Sequence, residues 1–251
     1  MRLLYQSFTD PDETRVYHER LSAYLAAIVR SGTRVDVRGM TPPARKHRIT
    51  ELRCAVEAVR NAVQAERDGY DAFVVGHFQD SGLWEARSAV SIPVIGLGES
   101  TLLHACTLAR TSGLVTIDPI HVPFHLDQVR RYGLEQRVTG VTAVEASPAD
   151  YVAALQEPAA FARMDAAYAE AARPLLAAGV ELLIPAGGFG CLLYASVPRA
   201  AIGGVPLLNG VAVAVKAAEM AVDLLPLGVP AASRVATFRP PSQAALTTLF
   251  G

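Results

Sequence analysis

Short apolar runs recur along the chain, and each leads into a longer stretch in which apolar residues return every three or four positions. The short runs predict strands at residues 2–7, 33–38, 72–76 and 92–98, and again at 112–118, 138–144, 181–188 and 204–210. The longer stretches predict helices at 13–30, 51–68 and 100–110, and again at 122–132, 161–177 and 211–224. Strands that are apolar nearly throughout and alternate with helices belong to parallel sheets covered on both faces. The predicted class is therefore α/β.

The series runs twice. "GYDAFVVGH" (69–77) parallels "GVELLIPAG" (179–187), each opening on a glycine that can cap the preceding helix. "IPVIG" (92–96) parallels "VPLLN" (205–209). These pairings set His77 opposite Gly187 and Gly96 opposite Asn209. The bland alternative is that any two strand–helix units look alike. Duplication predicts two pseudo-symmetric lobes, each a mostly parallel sheet flanked by helices: residues 1–98, completed by 210–251, and residues 99–209. Ligands bind outside the carboxyl ends of parallel strands. Two lobes facing each other there make one cleft, lined by the polar loops at 5–10, 77–82, 96–101, 117–121, 186–191 and 209–211.

Composition narrows the partners. The 251 residues suffice for a sizeable core, and 51% hydrophobic with 19% charged residues describes a folded chain. The net charge of −1, without a basic stripe, argues against nucleic acid. The apolar run near 205–227 is broken by Asn209, Lys216, Glu219 and Asp223, so no membrane span is expected. The N-terminal "MRLLYQSFTDPDETR" does not read as a signal peptide. Cys54, Cys106 and Cys191 lie far apart, which suits a reducing, cytoplasmic setting. No metal-ligand spacing is present, so no metal site is expected. "PPARKHRIT" (42–50) reads as an exposed loop, or as a lid facing the substrate.

Several strand ends carry chemistry. In "HFQDSG" (77–82), His77 can move protons near neutral pH, with Asp80 orienting it; Asp80 or Ser81 can instead cap the next helix. "GLGES" (96–100) offers Gly98 and Ser100 as donors to a substrate carboxylate at a helix start, and Glu99 as a base or as a helix-start acid. In "PAGGFGC" (185–191), Gly187 and Gly188 let the backbone approach a ligand, and Cys191 is a thiol acid or a buried hydrophobe. Gln6 and Ser7 suit carboxylate or amide recognition. "TIDPIH" (116–121) offers Thr116, Asp118 and His121, although its Asp-Pro pair also reads as a turn.

"YQSFTDP", "GYDAFVVGHFQDSGLWEAR", "IPVIGLGEST" and "VPLLNGVAVAVKAAE" together resemble the aspartate/glutamate/hydantoin racemase superfamily, nearest its hydantoin racemase branch, from about residue 3 to 224. The resemblance implies an active site between two similar lobes, a C-terminal helix returning to the first lobe, and no cofactor. It also implies two cysteines facing each other across the substrate, one taking a proton next to a carbonyl and the other returning one. This chain departs at both positions. His77 stands in "HFQDSGL" where the family reads like "CFxDPGL", and Gly187 stands in "AGGFG" where it reads like "GCxGM". Cys191 is displaced by four residues, and Asn209 replaces a usual aspartate.

The expectation is a cofactor-independent, racemase/isomerase-like enzyme that transfers a proton next to a carbonyl of a small carboxylate or hydantoin-like substrate. His77, Cys191 and Glu99 are the expected catalytic groups. Gln6, Ser7, Asp80, Gly98, Ser100, Gly187, Gly188 and Asn209 are the expected substrate contacts. The alternatives are a lyase, decarboxylase or hydrolase with a single acid–base group, and a non-catalytic small-molecule binder. A homo-oligomer is expected.

Overall fold

The computed structural model describes residues 1–44, 47–198 and 200–250. The first lobe runs β1 (Arg2–Ser7), α1 (Arg15–Ile28), β2 (Arg34–Arg38), α2 (Arg48–Arg67), β3 (Ala72–Gly76), α3 (Leu83–Ala89), β4 (Val94–Gly96) and α4 (Leu97–Leu108). Its four strands are parallel in the order β2-β1-β3-β4, with Leu3 paired to Val35 and Ala72, and Phe73 to Val94. The second lobe runs β5 (Ser112–Thr116), α5 (Val122–Arg131), β6 (Val138–Ala143), α6 (Pro148–Gln156), α7 (Pro158–Ala177), β7 (Leu182–Ala186) and α8 (Gly188–Leu193). Its strands are parallel in the order β6-β5-β7. The repeat is thus spatial: β5, β6 and β7 take the places of β1, β2 and β3. Both leading strands end in an Asp-Pro turn, Asp10 accepting from the Asp12 amide and Asp118 from the Ile120 amide.

The predicted strand at 204–210 shrinks to β9 (Val205–Pro206), antiparallel to β8 (Ala201–Ile202), and a single parallel bridge from Leu207 to Leu183. Pro206 lacks the N–H a ladder needs. Asn209 already caps α9 (Gly210–Leu224), accepting from the Val211 and Ala212 amides. The helices not predicted as segments include α3 and α6. The latter starts on a capping box, Ser147 with Asp150, and Pro148 in the first turn. Residues 48–50, predicted as loop, open α2, while Arg45 and Lys46 of that segment lie outside the described residues. α9 returns to pack on α4, β3 and β4 of the first lobe and touches α8 of the second. The tail then crosses α3, where Arg234 donates to the Arg87 and Val90 carbonyls and Phe238 meets Trp84 edge to face, before α10 (Gln243–Phe250). No helix among the described residues is long and apolar enough to cross a membrane.

Period-two alternation sorts the core. Leu3, Tyr5, Ala72 and Val74 face α1 and join a cluster that continues into the second lobe. Leu4, Phe73 and Val75 face the other way, onto Cys54, Ala58, Ala62 and Leu83 of α2 and α3.

One buried carboxylate ties the lobes together. Asp80 accepts from the Gly98 and Glu99 amides at the start of α4 (2.9 and 2.6 Å). From the second lobe it accepts from Gln128 Nε2 and Tyr132 Oη, both at 2.8 Å. Gln128 Oε1 lies 3.1 Å from His125 Nδ1, and His125 Nε2 lies 3.0 Å from Thr116 Oγ1 at the end of β5. Burial drives the Asp80 carboxyl up to about 7, against the pull of Tyr132 and the two amides. Burial likewise holds His125 down at about 4, so it is neutral at pH 7.

Asp80→Asn is expected to lower the unfolding free energy by about 2–3 kcal/mol. Asparagine tolerates the left-handed φ of 57° at this position as aspartate does, but its amide hydrogens would face groups that themselves donate. Urea unfolding of the two proteins measures the difference, and a change under about 0.5 kcal/mol would remove Asp80 from its place as the lobe contact.

Candidate active site

The strand ends of the two lobes converge on a cleft of about 200 Å³. The first and third strands of each lobe supply wall: Ser7, Phe8 and Thr9 at the end of β1, Gly76 and His77 at the end of β3, Ile117 and Asp118 after β5, and Ala186 and Gly187 at the end of β7. This follows from parallel pairing, which points all carboxyl ends the same way.

His77 is the half-buried imidazole of the first lobe's wall. Its ring stacks on Phe8, with centroids 4.4 Å apart and planes 12° from parallel. Nδ1 lies 3.6 Å from the buried Glu51 carboxylate and 3.4 Å from Ser81 Oγ. Ser81 Oγ in turn donates to Glu51 at 3.0 Å. Burial lowers the His77 pKa below the ordinary histidine value, and the Glu51 charge works the other way. His121, also buried, lines the same cleft from the second lobe.

The floor is aromatic and hydroxylic. Tyr17 from α1 reaches across to the second lobe, its ring 4.4 Å from Phe189. A β-carbon at Gly188 would stand 2.5 Å from the Tyr17 hydroxyl, so glycine there makes room for the phenol. Burial pushes the Tyr17 pKa well above that of a free phenol, and the nearby Ser7 hydroxyl partly offsets this. Ser7 Oγ lies 2.8 Å from Thr9 Oγ1, which lies 2.9 Å from His18 Nε2. A chain of polar groups therefore runs from Ser7 to the half-buried His18.

Of the residues expected from sequence, His77, Ser7, Gly187 and Gly188 line this cleft; the others lie elsewhere for identifiable reasons. The helix start in "GLGES" is occupied by the protein's own carboxylate, Asp80, rather than left open for a substrate. That removes Gly98 and Asp80 from the cleft, and Gly96 and Gly98 have no room for a β-carbon beside Asp80. Glu99 forms a two-pronged ion pair with Arg87 (2.6 and 3.1 Å), and Ser100 Oγ donates back to the Gly96 carbonyl. Gln6 is a strut: its amide nitrogen donates to the carbonyls of Ser7, Arg38 and Gly39, and its oxygen accepts from Asn61. Cys191 is buried with its thiol on the Pro185 carbonyl at 3.1 Å, and burial pushes it up to about 11. With Asn209, which donates to Tyr24 Oη, it borders a separate cavity. Even within the glycine loop, the Gly187 amide is engaged by the Pro185 carbonyl.

This architecture has known relatives. The model of the family described as Asp/Glu/hydantoin racemase matches residues 11–218. The chain belongs to that family. It is 34% identical over 163 residues to a hydantoin racemase of Rhizobium meliloti and 31% identical over 161 residues to one of a Pseudomonas strain. These alignments take in 62% and 64% of this chain, and it spans 62% of the length of each relative. An allantoin racemase from Klebsiella pneumoniae has a similar fold, with a TM-score of 0.76 at 24% identity over 97% of this chain and 94% of its own. In this chain the cleft between the two lobes presents His77 and Gly187.

Glu51 and Tyr17 are not legible as cleft residues from the sequence, while Phe8, His121 and Phe189 fall in loops expected to line the cleft without a role assigned to them. Glu51 and Tyr17 sit on helices whose periodicity reads as ordinary amphipathic packing, and nothing local marks the turn that faces the cleft. His121 had a signal: the second Asp-Pro turn, at 118–119, repeats the one at 10–11 beside the cleft.

Gly188→Ala is expected to destabilise the protein by about 1–3 kcal/mol through overpacking, and adding Tyr17→Phe should recover most of that loss. Gly187→Ala should stay nearer wild type, because its β-carbon meets only Ile117 Cγ2, at 3.0 Å. Denaturant melts of the three proteins check this, and the absence of recovery in the double variant would contradict the packing described.

Proposed function

We propose that this family member is a cofactor-independent racemase or isomerase in which His77 and His121 exchange protons with a carbon next to a carbonyl, from opposite walls of the cleft. The observation that carries the reading is that each lobe contributes an imidazole, half-buried His77 and buried His121, to one small cavity. One imidazole takes the proton, and the carbon–hydrogen electron pair moves onto the carbonyl oxygen as an enolate. The other, as imidazolium, returns a proton to the opposite face, and solvent resets the pair. The Tyr17 phenol stays protonated because burial disfavours its anion, which suits it to donate to the developing enolate oxygen, with Ser7 behind it.

The walls favour an uncharged ring over a dicarboxylate. Phe8, Phe78, Ile117 and Phe189 supply apolar surface, and a five-membered cyclic imide of hydantoin type has its acidic carbon directly beside a carbonyl. The hydantoin racemases among the relatives support the same substrate class. A one-sided reaction, such as decarboxylation, is the second reading; the lack of a side chain at Gly187 and the displacement of Cys191 from the cleft favour it.

Solvent deuterium separates the two readings. With a single enantiomer of a 5-substituted hydantoin, wild type should give the mirror image carrying deuterium. His77→Gln should lower that rate by about 10²–10⁴-fold, and His121→Gln should stop inversion while leaving exchange into one enantiomer. Undiminished inversion in folded His77→Gln protein would end this assignment, and carbon dioxide release from a malonate-type substrate would support the one-sided reaction. Cys191→Ser should retain activity within about threefold, since its thiol lies outside the cleft. Wild-type kcat/KM should fall as pH drops through the lowered His77 pKa, because the protonated imidazole has no lone pair to accept with.

A further inference from the structure

The contacts on the far side of the His77 ring assign a role to two residues outside the proton transfer itself. Ser81 Oγ donates its single proton to Glu51 Oε2 at 3.0 Å. That leaves the Ser81 oxygen able only to accept, so the 3.4 Å contact with His77 Nδ1 requires the hydrogen to be on Nδ1. Glu51 Oε2, 3.6 Å from the same nitrogen, adds a charge that favours the same arrangement. Nε2 makes no hydrogen bond with any described residue, and it is the lone-pair nitrogen in this tautomer. Phe8, stacked against the ring, fixes its plane.

We propose that Glu51, acting through Ser81 and by its own charge, is the positioning residue that locks His77 in the Nδ1–H tautomer and presents the Nε2 lone pair to the substrate carbon. The arrangement joins three elements: Glu51 comes from the first turn of α2, His77 from the end of β3, and Ser81 from the loop that Asp80 pins against the second lobe. Glu51 and His77 are nearly removed from solvent, with 10% and 15% of their side chains exposed, so their interaction is weakly screened. The other titratable group felt across the packing is His125 on α5, which is neutral at pH 7 and so leaves Glu51 the dominant charge on His77. The inference rests on His77 being the base of the proposed reaction, but its physical content concerns the free protein.

Two measurements separate those levels. Nitrogen-15 NMR of the histidine ring in wild-type protein, above the titration of His77, should show the proton on Nδ1. Glu51→Gln should move the His77 titration to lower pH, since the carboxylate is what raises it, and Ser81→Ala should weaken the tautomer preference. In turnover, Glu51→Gln should lower kcat/KM by about tenfold or more and carry the acidic limb of its pH profile in the same direction as the NMR titration, while Glu51→Asp should recover part of the loss. An Nε2–H tautomer in wild type, or a His77 titration indifferent to Glu51→Gln and to Ser81→Ala, overturns the inference. If the ring behaves as stated and the protein turns over no carbon acid, the positioning stands and the proposed function fails. Should Glu51→Gln not fold, Ser81→Ala, which leaves the carboxylate in place, gives the same tautomer test.

Discussion

A carboxylate buried between two lobes, Asp80, sets the geometry of everything around it. An isolated carboxylate in such a place would cost several kcal/mol, and here four donors surround it. Two are amides at the start of α4, and two are side chains on α5 of the opposite lobe. The loop that begins with His77 must bend into a left-handed residue to deliver that carboxylate. The same bend leaves His77 in the cleft wall and Ser81 facing back toward Glu51. Spacing between the lobes is fixed by this contact, because Gln128 and His125 carry it on to the end of β5.

Close approach of backbone and ring fixes the floor. Gly76 leaves room for the Tyr5 ring and Gly188 for the Tyr17 hydroxyl, two places where any β-carbon would collide. Gly188 in the second loop therefore does less to expose an amide to a ligand than to admit the Tyr17 side chain from the first lobe. That exchange gives the cleft a rigid base of tyrosine and phenylalanine, with a hydroxyl chain along one side.

The two halves of the repeat have diverged in their chemistry while keeping their topology. The third strand of the first lobe ends in an imidazole backed by a carboxylate, and that of the second ends in glycine. The imidazole in the second lobe's wall lies instead in the loop after its leading strand, where His121 follows the Asp-Pro turn. The family assignment is compatible with the groups this cleft presents, because the cleft is made by strand ends and any of the loops there can supply a titratable group.

The amino-acid sequence alone determined the alternation of strand and helix, the duplication and the position of His77 at a strand end. Those features are local: apolar runs, helical periods and a glycine before each repeated strand. It also located Ser7, Gly187 and Gly188 in the cleft, since residues just past parallel strands share one edge of a sheet. Only the tertiary structure decided which polar groups remain available there. Asp80 fills the anion site that "GLGES" suggested, Arg87 neutralises Glu99, backbone carbonyls saturate Gln6, and Cys191 turns into a different cavity. Each of those partners is distant in sequence, and whether a polar group serves structure or chemistry depends on what packing brings within about 3 Å of it.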